Sequence, residues 1–217
     1  MSRASMGRHV LAIRVMLACA GLVMVVVWPS PMTRAEPPKV PTAAELMDDL
    51  MWGRGEIGGP FELIDHTGRR RTDTDFRGRL LLVYFGYMFC PDICPTDLQA
   101  IGAAIDELGP AGAHVQPLFI SVDPERDTPS QLAHYVGSFH PRLIGLTGSA
   151  QEIRSVAMAY KVWYAKVDDP RMATYVMEHS AYIYLIDAKG GYVGFFPPGT
   201  SPERLAKAIA PLLSHSP

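Results

Sequence analysis

Two cysteines separated by three residues are the first feature of this sequence that could do chemistry. Cys90 and Cys94 stand in the segment CPDIC, between an apolar run at residues 80–87 and a helical pattern at residues 94–108. A helix N-terminus carries partial positive charge and free N–H groups, which favour a thiolate over a thiol. Because residues four apart lie about one helical turn apart, the pair predicts a redox-active disulfide or two sulphur ligands for one metal ion. The alternative is that both are small buried hydrophobic residues.

A metal ion would need a third ligand, and histidine is the natural candidate. His179 closely precedes an apolar strand pattern at residues 181–186, so the loop there can bring its imidazole beside the cysteines. Two thiolates and one imidazole suit copper, since thiolate is soft enough for Cu(I) and imidazole nitrogen helps to hold Cu(II). Structural zinc usually takes four protein ligands. The remaining histidines after residue 36 are interpreted as structural or surface residues: His66, His114, His134, His140 and His215. Met88, Met172 and Met177 are interpreted as packing residues.

Strand patterns alternate with helical patterns from residue 60 onward, which predicts an α/β sandwich with a mixed central sheet and flanking helices. The continuous apolar run at residues 80–87 indicates a strand buried on both faces. A turn centred on Gly68 predicts an N-terminal hairpin between residues 61–65 and 72–75. The other predicted strands are residues 115–122, 143–146, 181–186 and 192–196, and the predicted helices are residues 43–52, 94–108, 129–139, 150–160 and 201–213.

The charge of the chain is unevenly distributed. The 217 residues include 20 basic and 22 acidic side chains, for a net charge of −2. All the acids lie at or after Glu36, and only four arginines precede it, so residues 36–217 carry 16 basic and 22 acidic residues and a net charge of −6. This acidic balance argues against a nucleic-acid-binding protein. Three cysteines are too few for a disulfide scaffold.

The N-terminal segment has the pattern of an export signal. Arg3, Arg8 and Arg14 precede an uninterrupted apolar run of 14 residues at positions 15–28. That length fits the apolar region of a secretory signal and is short of the ~20 residues of a membrane-spanning helix. If residues 10–28 are counted, the segment becomes a candidate membrane anchor. Residues 1–35 are therefore predicted to be a cleaved signal or an anchor, and both place the remainder in the periplasm or at the outer face of the cytoplasmic membrane.

The rest of the chain divides into two parts. Residues 36–59 are rich in proline and glycine and are predicted to be a linker or arm. Residues 60–217 are predicted to form the folded domain that carries the cysteines and His179.

Four segments of this domain resemble the Sco/SenC family of copper proteins, which are named for synthesis of cytochrome c oxidase. They are GGPFELID at 58–65, VYFGYMFCPDICPTDL at 83–98, FISVDPERDTP at 119–129 and EHSAYIYLID at 178–187. The resemblance implies a thioredoxin-like fold that holds one copper ion, as Cu(I) or Cu(II), through Cys90, Cys94 and His179. It also implies that Asp123 helps to organise the site or a partner contact; the alternative is that Asp123 fixes the turn before Pro124.

The family's role implies the partners of this chain. Members help to build the binuclear copper centre of cytochrome c oxidase, either by delivering copper or by reducing the cysteines of the target subunit. The expected partners are therefore the copper-bearing subunit of that oxidase and another copper donor protein. This chain has Met88-Phe89 before the first cysteine, where many relatives have threonine and a polar residue. The entrance to the expected copper site, beside Cys90, is therefore more apolar in this chain.

Three mechanisms remain open for the cysteine pair. In a copper chaperone, three ligands leave the ion open to attack by a target cysteine. In a thiol-disulfide oxidoreductase, Cys90 attacks a partner disulfide and Cys94 resolves the mixed disulfide. The CxxxC spacing and the absence of proline from residues 175–186 argue against a general oxidoreductase of the thioredoxin type. A peroxidase of the peroxiredoxin type would have threonine three residues before Cys90, where this chain has Tyr87.

Overall fold

The computed structural model describes residues 41–51, 56–168, 170 and 174–213. The predicted signal or anchor at residues 1–35 lies outside these residues, as do Met172 and His215. The strands of the described part are β1 Glu62–Asp65, β2 Arg70–Thr72, β3 Leu80–Gly86, β4 Val115–Ser121, β5 Ile144–Thr147, β6 Tyr164–Val167, β7 Val176–His179, β8 Ile183–Ile186 and β9 Tyr192–Phe196. Its α-helices are α1 Ala43–Met51, α2 Ile93–Glu107, α3 Pro129–Gly137, α4 Ala150–Ala159 and α5 Pro202–Leu213.

A seven-stranded mixed sheet forms the centre of the domain. Its order is β2-β1-β5-β4-β3-β8-β9, with β3, β4 and β5 parallel and the remaining pairings antiparallel. Every residue of β3 and β4 is buried, as expected for parallel strands that are covered on both faces. The predicted α/β class with a mixed central sheet and flanking helices is confirmed.

The N-terminal hairpin is present, but the predicted second strand is wrong. β1 pairs with β2 at residues 70–72, and Asp73–Phe76 forms a short 3₁₀ helix instead of a strand. The reason is a local hydrogen bond: the Asp75 carboxylate accepts from the backbone N–H of Thr72 at 2.7 Å. Such a bond satisfies the first free N–H of a helix and ends the strand there.

A second, two-stranded sheet was not predicted. β6 and β7 pair antiparallel, with Tyr164 opposite His179. The two strands have four residues each, and most of their side chains are half-buried or exposed. They lack the apolar run or the regular alternation that marks a strand in sequence. Their pairing nevertheless decides where His179 lies.

The described part of the predicted linker contacts the domain. Within α1 Leu46 is buried, and Ile57 belongs to the hydrophobic core. The backbone N–H of Gly58 donates to the carbonyl of Ala159 at 2.8 Å. The division at residues 59 and 60 remains a prediction. No helix among the described residues has the length and apolar character needed to cross a bilayer.

Candidate metal centre

The two cysteines lie where β3 ends and α2 begins. Cys94, in the first turn of α2, is fully buried, and Cys90 is half-buried in the preceding loop. Gly86, the last residue of β3, makes room for the Cys94 sulphur: a Cβ atom at this position would lie only 3.0 Å from Cys94 Sγ. A side chain at position 86 would therefore displace the sulphur or the strand.

His179 reaches the cysteines from the end of β7. Its Nε2 lies 3.4 Å from Cys94 Sγ, and its Nδ1 lies 3.2 Å from the carbonyl oxygen of Ser180. Because a carbonyl can only accept, Nδ1 is the ring nitrogen that donates to Ser180, and Nε2 is the nitrogen that faces Cys94. The rings of Tyr84 and Tyr87 meet the imidazole edge-on, at centroid distances of 6.4 and 6.0 Å. The imidazole is thus held with Nε2 facing the Cys94 sulphur.

The two thiols have opposite pKa shifts. The pKa of Cys90 is lowered to about 4, chiefly by a hydrogen bond from the Cys94 thiol and further by His179 and the backbone N–H groups of Asp92 and Cys94. The pKa of Cys94 is raised, because its thiol donates to Cys90 and because it is buried. The metal-free site therefore holds one thiolate, at the half-buried position, and one protonated thiol beneath it.

The donor set fits a thiophilic metal ion. At metal–sulphur and metal–nitrogen lengths of about 2.3 and 2.0 Å, an angle of about 105–120° at the metal separates the two donors by roughly 3.4–3.7 Å. The observed 3.4 Å between Cys94 Sγ and His179 Nε2 lies in that range. Within the residues that the structure describes, however, no three His, Cys, Asp or Glu side chains form a complete metal-ligand group. The Cys94 proton, which binds Cys90, must leave before both sulphurs can face one ion.

A turn that follows β4 supports the loop that carries Cys90. The Asp127 carboxylate is fully buried and accepts from the backbone N–H of Met88 at 3.1 Å and from the Ser121 hydroxyl at 2.6 Å. Burial is the main cause that raises the pKa of Asp127 to about 6. Phe89, between Met88 and Cys90, is 49% exposed. The entrance beside Cys90 therefore presents an aromatic ring.

Asp123 lies in the same turn, and its side chain does more than fix that turn. Its Oδ1 accepts from the Tyr175 hydroxyl at 2.9 Å, and its Oδ2 accepts from Arg126 Nε. Its backbone carbonyl, in contrast, accepts from the N–H groups of Arg126 and Asp127 and closes the turn. The side chain thus connects the turn to the residue that precedes β7, 52 positions later.

The other described histidines are used elsewhere. His66 Nδ1 accepts from the backbone N–H of Gly145 at 3.2 Å, and His140 Nδ1 accepts from that of Arg142 at 3.1 Å. His134 is exposed on α3. Met177 is buried, and Met88 packs partly buried against the core. His66 and His140 are thus structural, His114 and His134 are surface residues, and Met88 and Met177 are packing residues.

Sequence reasoning missed Gly86, Arg126 and Tyr175 as parts of this region. Gly86 stands inside a strand, where an isolated glycine indicates close approach of another group. That signal was present at the end of the apolar run. Arg126 and Tyr175 lie 49 positions apart, and no local pattern connects them.

Comparison with known proteins identifies close relatives. A model of the SCO1/SenC family matches residues 51–214. Protein sco1 of Schizosaccharomyces pombe is 43% identical over 160 residues, which cover 72% of this chain and 61% of that protein. The human protein named Protein SCO1 homolog, mitochondrial, is 41% identical over 160 residues, which cover 73% of this chain and 53% of the human protein. The chain thus spans less than two thirds of the length of these relatives.

A solved structure agrees with the fold. The crystal structure of Arabidopsis thaliana ScoI with copper bound matches with a TM-score of 0.69 at 43% identity, covering 73% of this chain and 98% of that one. The thioredoxin-like fold implied by the resemblance is confirmed by this match.

Proposed function

Because this chain belongs to the SCO1/SenC family, we propose that it is an exported copper chaperone for cytochrome c oxidase. It binds one copper ion through Cys90, Cys94 and His179 and delivers the ion to the copper-bearing subunit of the oxidase. The observation that carries this proposal is the 3.4 Å approach of His179 Nε2 to Cys94 Sγ, with Cys90 hydrogen-bonded to the Cys94 thiol. The copper-bound relative supports the choice of metal.

Uptake and release follow from the chemistry of the three groups. Cys90 supplies a thiolate without prior deprotonation, and His179 supplies Nε2 because Nδ1 donates to the backbone. Cys94 loses its proton when copper binds. Three ligands leave the copper cargo accessible to a further thiolate, so a cysteine of the oxidase subunit attacks and replaces the protein ligands one at a time. Half-burial of Cys90 makes it the first ligand to exchange.

The opposite pKa shifts of the two thiols also favour a second candidate, reduction of the target's copper-site disulfide. The Cys90 thiolate attacks one target sulphur, which forms a mixed disulfide and releases the other target cysteine as a thiol. Cys94 then loses its proton and attacks Cys90, which releases the second target thiol and leaves a Cys90–Cys94 disulfide. The two electrons come from the cysteine pair, and a thiol reductant must restore it.

Metal analysis of single variants tests the ligand set. The full 217-residue chain, purified in a mild non-ionic detergent, should bind about one copper ion, as the three-ligand site implies. Cys90→Ala, Cys94→Ala and His179→Ala should each weaken copper binding sharply, while His134→Ala, an exposed histidine on α3, should not. Full copper binding by His179→Ala would remove His179 from the ligand set.

Transfer to an oxidase copper domain separates the two candidates. Copper that moves from the loaded protein to an already reduced target supports the chaperone. Loss of the target's disulfide on mixing with the reduced, metal-free protein supports the reductase. If neither copper transfer nor disulfide loss occurs, both proposals are contradicted.

Export by residues 1–35, with anchoring by residues 10–28, is tested by finding the protein in the periplasmic or membrane fraction.

A further inference from the structure

The position of His179 depends on a hairpin that stands apart from the central sheet. β6 and β7 form a separate two-stranded sheet of four residues per strand, and His179 is the last residue of β7. An isolated two-stranded hairpin is at best marginally stable in water. Contacts that attach the hairpin to the rest of the domain must therefore hold the imidazole beside Cys94.

Arg126 makes several of these contacts, in addition to the packing of buried Met177 of β7 in the core. Its guanidinium carbon lies 3.7 Å from the centroid of the Tyr175 ring, and its Nη1 donates to the Tyr175 carbonyl at 3.0 Å. Its Nε donates to Asp123, which also accepts from the Tyr175 hydroxyl. Only 15% of the Arg126 side chain is exposed, so solvent screens these interactions little. Together they fasten the residue from which β7 starts.

The same guanidinium contacts the cysteine loop. Its carbon lies 4.7 Å from the centroid of the Phe89 ring and 5.8 Å from that of Tyr87. The next residue, Asp127, binds the backbone N–H of Met88. Arg126 therefore lies between the two segments that carry Cys90 and His179.

Lys166 of β6 contacts the same tyrosine but is a weaker attachment. Its Nζ lies 4.2 Å from the Tyr175 centroid and 2.7 Å from Glu125 Oε2. Both partners of this ion pair are largely exposed, and exposed pairs contribute little. The flexible ammonium group of a lysine also cannot do what the planar guanidinium of Arg126 does, which is to stack on the Tyr175 ring and donate hydrogen bonds at the same time.

We propose that Arg126 is a positioning residue that holds His179 at the metal site by fixing the β6–β7 hairpin to the cysteine loop. The proposal rests on the proposed function only in taking His179 as a copper ligand. Removal of the guanidinium releases the hairpin and separates the imidazole from Cys94, while both cysteines stay in place.

Hydrogen exchange of the copper-free full-length chain tests the attachment directly. In Arg126→Ala, amides at residues 174–180 should exchange about tenfold faster or more, the effect of losing a charge-assisted hydrogen bond and a cation–π contact. Arg126→Lys should show an intermediate rate because it keeps the charge. Tyr175→Phe loses only the bond to Asp123, so a rise of about threefold is expected. The control is Arg70→Ala, which removes an exposed arginine paired with Glu62 and Glu152 and should leave these amides unchanged.

A spectroscopic readout tests the effect on the metal ligand. An imidazole bound to Cu(II) gives nitrogen hyperfine coupling in electron paramagnetic resonance spectra. This coupling should weaken in Arg126→Ala, recover in part in Arg126→Lys and stay unchanged in Arg70→Ala. Either wild-type exchange at residues 174–180 or wild-type coupling in Arg126→Ala would overturn the proposal.

The two proposals fail in distinguishable ways. If the wild-type chain binds no copper, the proposed function is wrong, and the exchange rates still decide whether Arg126 holds the hairpin. If Arg126→Ala unfolds, exchange rises in β3 as well, and Arg126→Lys and Tyr175→Phe then decide. Faster exchange confined to residues 174–180 in these variants supports the proposal, and unchanged exchange there refutes it.

Discussion

Adding one methyl group at Gly86 should damage the proposed metal site without removing any of its three proposed ligands. The new Cβ would lie 3.0 Å from three atoms: Cys94 Sγ, Phe119 Cε2 and Tyr84 Cε1. Both rings are fully buried in the core and have little freedom to move in a close-packed interior. The Cys94 sulphur is the neighbour that can rotate, so Gly86→Ala should move it by about 0.5 Å from its place beside His179.

Two separate magnitudes follow from this displacement. Overpacking by one methyl group in a core costs about 1–3 kcal/mol of folding free energy, which lowers the Tm by roughly 2–12 °C for a chain of this size. Ligands must be held within about 0.5 Å of the productive geometry, so we expect the affinity for Cu(I) to fall by about tenfold or more. Stability is measured by thermal unfolding of the copper-free protein, and affinity by competition with a chromogenic Cu(I) chelator.

Gly145→Ala is the matched control. A Cβ at Gly145, in β5, would lie 2.9 Å from Val136 Cγ1 and 3.3 Å from Leu132 Cβ. Gly145→Ala therefore overpacks the core beneath α3, and its three nearest neighbours include neither cysteine. It should lose comparable stability and keep wild-type copper affinity. If Gly86→Ala also keeps wild-type affinity, the sulphur is not displaced and the reasoning is refuted.

Two further predictions use the pKa shifts of buried or capping carboxylates. Asp127 has a pKa raised to about 6, so its ionisation opposes folding as the pH rises from about 4 to 6. Relative to wild type, the free energy of unfolding of Asp127→Asn in urea should therefore increase by about 2–3 kcal/mol between pH 4 and pH 7.5. A difference between variant and wild type that does not change with pH would contradict this. Glu152 has a pKa lowered to about 2, first by the Ser149 N–H and then by Arg70. Its contribution is present above about pH 4.5 and is lost as the pH falls toward 2, so Glu152→Gln should be destabilising at pH 7 but not at pH 2 in thermal unfolding. Ser149→Ala removes the N-cap of α4 and should cost about 1 kcal/mol at neutral pH; an unchanged Tm would show that the cap contributes nothing.

Much of the fold and half of the candidate site can be inferred from local sequence. The apolar run of β3 and the helical spacing of α2 place Cys90 and Cys94 at a strand-to-helix junction, and the structure has that junction. Such inference succeeds because burial on both faces and helical periodicity are local properties of the chain. The charge distribution predicts an exported domain, and this stays a prediction because residues 1–35 lie outside the described structure.

The other half of the site depends on contacts between distant residues. His179 lies 85 positions after Cys94; its place before the apolar strand made it a weak candidate among several histidines, and the resemblance to the Sco/SenC family strengthened that choice. The short, half-exposed strands of β6–β7 carry no strong pattern, and their position comes from Arg126, Asp123 and Tyr175. A sequence determines which side chains can bind a metal. Only packing determines which sulphur is buried, which nitrogen faces it and which arginine holds them together, because burial, tautomer and pKa are set by neighbours that the chain order does not reveal.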